Sequence, residues 1–177
     1  MVAAPRGYLT LFSLASFHAR RNLMPVTTGE DFRVDTGPDR ALLAASVAFA
    51  AAAGLGSAVA IRDDLPGEPL GMTVPLSVPA GLAVGWGAAV AAPWPMPAAA
   101  LLAAARAQRA GPSAATGALC AGIGLGCIAG TLVEPVTRRP RTWSPLTRLA
   151  ITVNLAASAA LVAAGWRPFT AARRCAG

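Results

Sequence analysis

The chain has 177 residues, 55% of them apolar and only 13% charged, about half the charged share of an ordinary soluble domain. Its net charge of +7 comes from 15 Arg and no Lys, and these arginines fall between hydrophobic segments instead of along one basic face. That pattern excludes a nucleic-acid surface, which needs a continuous basic stripe with interleaved stacking aromatics, and the length excludes two full domains.

Residues 1–40 read as a polar N-terminal region. Arg6 precedes an apolar run from Gly7 to Phe17, and His18, Arg20 and Arg21 follow it. About 11 apolar residues are too few to span a bilayer, and a secretory signal would end in small residues instead of basic ones. A short interfacial helix over 7–19 is one expectation and irregular chain the other. Met24 follows and offers an alternative start. Asp39, after the turn-forming Gly37-Pro38, is placed to cap the first long helix.

The remainder predicts an all-α, polytopic membrane protein with about four transmembrane helices over residues 41–166. The first span, 41–61, carries no charge in 21 residues and reaches about 30 Å at 1.5 Å per residue, the thickness of the hydrocarbon core. A polar turn, Arg62 to Pro69, ends it. The second span is expected over 72–92, with Pro75 and Pro79 disturbing its start. The run Pro93-Trp94-Pro95-Met96-Pro97 interrupts it, leaving a broken helical extension over 96–109. The third span is expected over 113–133 and the fourth over 147–166, joined by a rigid basic connector holding Arg138, Arg139, Arg141 and Arg148. Residues 167–177 form a basic tail.

Arginine distribution orients such a bundle. Four spans put ten arginines with the termini and the 106–112 connector, and five on the opposite side, which favours cytoplasmic termini in a multi-pass protein of the cell membrane.

Small residues recur every four positions in the third span, at Ala114, Ala118, Gly122, Gly126 and Gly130. That spacing stacks them on one helix face, where another backbone can approach closely. Gly81 and Gly85 in the second span and Gly54 in the first make shorter versions. These faces are expected to pack the bundle or to join two copies through the third span. Two polar residues stand out as an intramembrane or interfacial site. Glu134, the only acidic residue after Glu68, lies at the membrane boundary with Arg138 and Arg148 nearest in sequence. Asn154, an amide inside the fourth span, needs a partner because an unpaired amide in hydrocarbon is costly. Trp94, Trp143 and Trp166 are expected to anchor span ends in the headgroup belt.

Catalytic chemistry finds little support. His18 is the only histidine, so neither a Cys/His zinc centre nor a His-based triad can be assembled, and there is no phosphate-binding or dinucleotide fingerprint. Cys120 and Cys127 are two helical turns apart, too far to pair with each other. The expectation is a small membrane protein without metal or cofactor, with a structural, assembly or partner-binding role. Its partners would be the lipid bilayer, a second copy or another membrane protein. A small oligomeric transporter using Asn154, Thr152, Thr116, Ser57 and Glu134 is the second expectation, and a membrane enzyme acting on lipid the third.

Overall fold

The computed structural model describes residues 39–72, 75–139 and 143–174. The expected interfacial helix at 7–19 lies outside them. Five α-helices follow in chain order: α1 (Arg40–Arg62), α2 (Val78–Val84), α3 (Pro95–Ala110), α4 (Ala114–Val133) and α5 (Pro145–Arg174). Three stretches, Arg40–Arg62, Ala114–Val133 and Pro145–Arg167, are long and apolar enough to cross a membrane.

Local sequence explains where the long helices start. Asp39 Oδ1 accepts the Leu42 N–H at 3.0 Å and Ser113 Oγ accepts the Thr116 N–H at 3.2 Å. Ser144 Oγ accepts the Thr147 N–H at 3.1 Å. Each satisfies an amide with no partner inside its own helix. Pro145 then occupies the first turn of α5, where its missing N–H costs nothing.

The second apolar stretch departs from the sequence expectation. It is not one helix over 72–92. Only the seven residues of α2 are helical, and Gly85 ends α2 in the left-handed region at φ +94°. Residues 85–94 then form a compact loop before α3 resumes. The Trp86 and Gly87 N–H groups both donate to Gly81 O, at 2.9 and 3.1 Å, while Ala88 and Ala91 exchange N–H···O bonds at 3.2 and 3.1 Å. The Trp94 N–H returns to Leu82 O at 2.9 Å. Because the loop satisfies these groups internally, Gly87 through Ala92 can be buried without a helix.

Contacts along the helices set their directions. Gln108 Nε2 donates to Asp39 O at 2.6 Å near one end of the α1–α3 pair, and Trp94 Nε1 donates to Ser57 Oγ at 3.1 Å toward the other. Thus α3 runs opposite to α1. Gly165 lies against Gly117 and Ala121, and Asn154 meets Thr131, so α5 runs opposite to α4. The Glu68 N–H, just beyond α1, reaches the carboxylate of Glu134 just beyond α4. The largest helix–helix interface joins α4 to α5, and α5 also packs against α1.

The interior is built from small side chains. Ala45, Ala52, Ala53, Ala100, Ala103, Ala104, Ala107, Cys120, Ala157 and Ala164 surround Leu42, Phe49 and Leu161. Larger apolar groups point outward, with Leu102 72%, Leu125 52% and Leu132 54% exposed. In water this would be inside out. In lipid it is favourable, because association there depends on close packing and not on removing apolar surface from water.

Candidate functional site

Near the end of the bundle where α1 gives way to Glu68 and α4 to Glu134, a cavity of about 130 Å³ lies among the 85–93 loop, α3, α4 and α5. Trp86, Ala88, Ala91, Ala92 and Pro93 contribute the loop wall, and Met96 the start of α3. Gly126, Cys127, Gly130, Thr131 and Glu134 form the α4 side, and Asn154 closes it from α5.

The loop reaches this position because α1 lets it in. A Cβ on Gly56 would collide with the Val90 carbonyl oxygen and crowd Ala91, so only glycine admits the loop backbone so close. Gly56 lies six residues before the end of α1, so Val90 sits about 9 Å below that end. Irregular backbone is tolerated in a bilayer where protein buries it or where it lines a cavity. This loop is buried from Gly87 to Ala92 and lines the cavity.

Two buried polar side chains define the cavity's chemistry. Asn154 is 1% exposed, and its Nδ2 donates to Thr131 Oγ1 at 3.3 Å, a bond between α5 and α4. Its Oδ1 is buried with no hydrogen-bond partner. Glu134 is 7% exposed, and its Oε2 accepts the Glu68 N–H at 3.0 Å. Burial pushes the Glu134 carboxyl above its ordinary range, the Glu68 N–H bond pulls it back, and the charge of Glu68 raises it further. The partner the structure gives Glu134 is therefore a backbone amide, not the guanidinium of Arg138 or Arg148. The turn after Glu134 holds it in place. The Thr137 N–H returns to Glu134 O at 3.1 Å, and Trp143 Nε1 donates to Val136 O at 2.7 Å.

The structure separates the other expected residues. Gly126 and Gly130 lie at the cavity, yet a Cβ on either of them, or on Gly122, would meet nothing within 4 Å. Within one chain the close α4–α5 contact belongs instead to Gly124, where a Cβ would lie 2.6 Å from Ser158 O, and to Gly117 beside Gly165. The four-residue spacing identified a face that this chain leaves open, and the packing face lies beside it. Gly54 is likewise open, with Gly56 making the approach on α1. Gly81 packs against Gly87 O, and Gly85 serves as the left-handed cap. Trp94 lies level with Ser57, at the junction of loop and α3. Trp143 braces the 134–139 turn, and Trp166 is 53% exposed near the far end of α5.

Of the polar residues expected in a shared cavity, only Asn154 and Glu134 meet there. Ser57 donates to Ala53 O and accepts from Trp94, Thr116 donates its N–H to the cap Ser113 at the opposite end of α4, and Thr152 is exposed. Thr131 joins the site unforeseen. Its signal was present, since Cys127, Thr131 and Glu134 follow at helical spacing on one face. Among the described residues, no group of three His, Cys, Asp or Glu is placed to hold a metal ion. Asp63 pairs with Arg62 at 2.7 Å on the surface, which holds its carboxyl below the usual range. Comparison of the chain with protein-family models, with curated proteins and with solved structures gives no match.

Proposed function

We propose that this chain is a small multi-pass membrane protein that binds and passes a small polar solute through its helix bundle. The observation that carries this reading is the meeting of two buried polar side chains, Glu134 and Asn154 with its unpartnered Oδ1, on the lining of one cavity walled in part by non-helical backbone. A purely structural bundle gains nothing from an orphaned amide oxygen, which costs about 1–3 kcal/mol when left unsatisfied. Broken helices whose irregular backbone lines a cavity are a recurrent way to build solute sites in membranes.

In this reading α2, the 85–94 loop and α3 together make one crossing, so the chain crosses four times with both termini cytoplasmic. The opposite directions of α1 and α3, and of α4 and α5, support it. Reporter fusions after residues 66, 109, 140 and 170 should alternate in compartment, starting outside. Two neighbouring fusions on the same side would remove the four-crossing arrangement.

The functional test is solute entry into proteoliposomes holding the full chain, followed by light scattering with glycerol, urea and methylammonium as probes. At least one probe should enter faster than into empty vesicles, and Asn154→Ala should slow it. Entry no faster than in empty vesicles for all three probes would refute transport.

A second reading, assembly of copies through α4, is favoured by the open face at Gly122, Gly126 and Gly130. The two readings are compatible, because a permeation unit of this size can act as an oligomer.

A further inference from the structure

The polar groups around the cavity are unevenly matched. Most of its nearby donors are already engaged, and among the described residues only the Ala92 N–H and the Thr131 hydroxyl lack an acceptor. Trp86 Nε1 donates to Gly67 O at 2.9 Å, Cys127 Sγ to Met96 Sδ at 3.5 Å, and Asn154 Nδ2 to Thr131 Oγ1. The backbone N–H groups of Trp86, Gly87, Ala88 and Ala91 are bonded within the loop and α2, and Pro93 has none. Acceptors remain. Asn154 Oδ1 has no partner, and the Glu134 carboxylate has lone pairs beyond the one taken by the Glu68 N–H. Among the described residues, no arginine and no histidine lines the cavity.

A site with spare acceptors, one carboxylate and no lining cation selects for positive charge and for N–H donors. It does not suit a bare divalent ion. Calcium takes six to eight oxygen ligands and magnesium a near-octahedral set, whereas this cavity offers Glu134, Asn154 and Thr131 among apolar walls. The space also fits an organic group. A cavity of about 150 Å³ admits benzene, and this one, at about 130 Å³, has room for a slightly smaller planar group. Trp86 adds an aromatic ring to the lining, a surface that attracts organic cations.

We infer that the cavity is a binding site for a small organic cation bearing N–H donors, of the guanidinium or primary ammonium class, with Glu134 supplying charge and Asn154 Oδ1 accepting a hydrogen bond. This rests on the solute-binding reading above and names its substrate class.

Guanidinium and urea make the test, because they share planar shape and N–H donors but differ in charge. Purified full-length protein in detergent is titrated calorimetrically with guanidinium chloride, urea and potassium chloride at dilute, non-denaturing concentrations and constant ionic strength set with sodium chloride. Guanidinium should bind saturably, about tenfold or more tighter than urea, the difference expected when a hydrogen bond becomes charge-assisted. Potassium should not compete. Glu134→Gln keeps an oxygen for the Glu68 N–H and should abolish the preference for guanidinium over urea, while Asn154→Ala should weaken both. Should Glu134→Gln fail to fold, Asn154→Asp provides the converse, since a second carboxylate should widen the preference. Equal binding of guanidinium and urea to the wild type, or potassium displacing guanidinium, would overturn the cation assignment and leave the polar-solute reading standing. No binding of either, together with uptake indifferent to Asn154→Ala, would overturn both.

Discussion

The first two apolar stretches of the chain are similar in length and composition, and they fold differently. Residues 41–61 form the interior of one continuous helix, whereas residues 72–92 hold a seven-residue helix followed by a buried loop. Hydropathy scores the free energy of leaving water and is blind to backbone geometry. Conformation was decided by a few residues. Pro75 and Pro79 confine helix formation to start near Val78, and Gly85 and Gly87 adopt φ of +94° and +84°, which end it. Pro93 and Pro95 then keep the chain irregular until α3 can begin. The lesson is that an apolar run can qualify for the bilayer and still reserve part of itself to wall a site.

The sharpest way to break this contrast is on the continuous helix. Gly56→Leu should expel the loop from α1, because its Cβ would strike the Val90 carbonyl. The expected loss is about 3 kcal/mol, the upper part of the range for overpacking, read as a lower melting temperature in detergent. Gly54→Leu, on the open face of the same helix, should melt close to wild type. If the two variants melt alike, the loop is not held by α1.

The broken segment offers a smaller effect. Gly85→Ala keeps the space open but puts a Cβ on a residue at φ +94°, with a cost of about 1–2 kcal/mol. The same substitution at Gly126, where helical backbone suits alanine and nothing lies within 4 Å, should be neutral or slightly stabilising. Melting curves of the two variants compare them directly. An unchanged Gly85→Ala variant would mean that the α2 terminus can re-form without its left-handed cap.

The smallest change in monomer stability belongs to the α4 face that the sequence pattern singled out. Gly122→Leu should shift the monomer by less than about 0.5 kcal/mol, as expected for an uncrowded surface site. Gly124→Leu, two residues away, should cost about 2 kcal/mol, because Ser158 O and Val162 already fill its space. Particle size in mild detergent gives the second readout. If copies meet through this face, Gly122→Leu dissociates them while the folded monomer persists. If the particle is unchanged, copies do not meet there.

Much of the fold was legible along the chain. The starts of α1 and α4 follow from Asp39 and Ser113, because capping and hydropathy are local properties, whereas α5 begins at Pro145, before the expected 147, and continues to Arg174 through residues expected as a basic tail. Glu134 and Asn154 stood out for an equally local reason, as rare polar groups in apolar surroundings. Three things were not legible. The four-residue spacing in α4 could not say which of two adjacent small-residue faces would meet α5, since Gly122 and Gly124 look alike until a neighbour arrives. The loop at 85–94 looked like part of a span, because its apolar composition hid a backbone that bonds to itself. The joining of Glu134, Asn154 and Thr131 with that loop depends on residues from separate elements reaching one level of the bundle. By itself the sequence determined an all-helical chain with stretches suited to a bilayer, because those follow from side-chain transfer and helix termination. Only the tertiary structure decided where the polar groups meet and which of them is left without a partner, because hydrogen-bond satisfaction depends on neighbours remote in the chain.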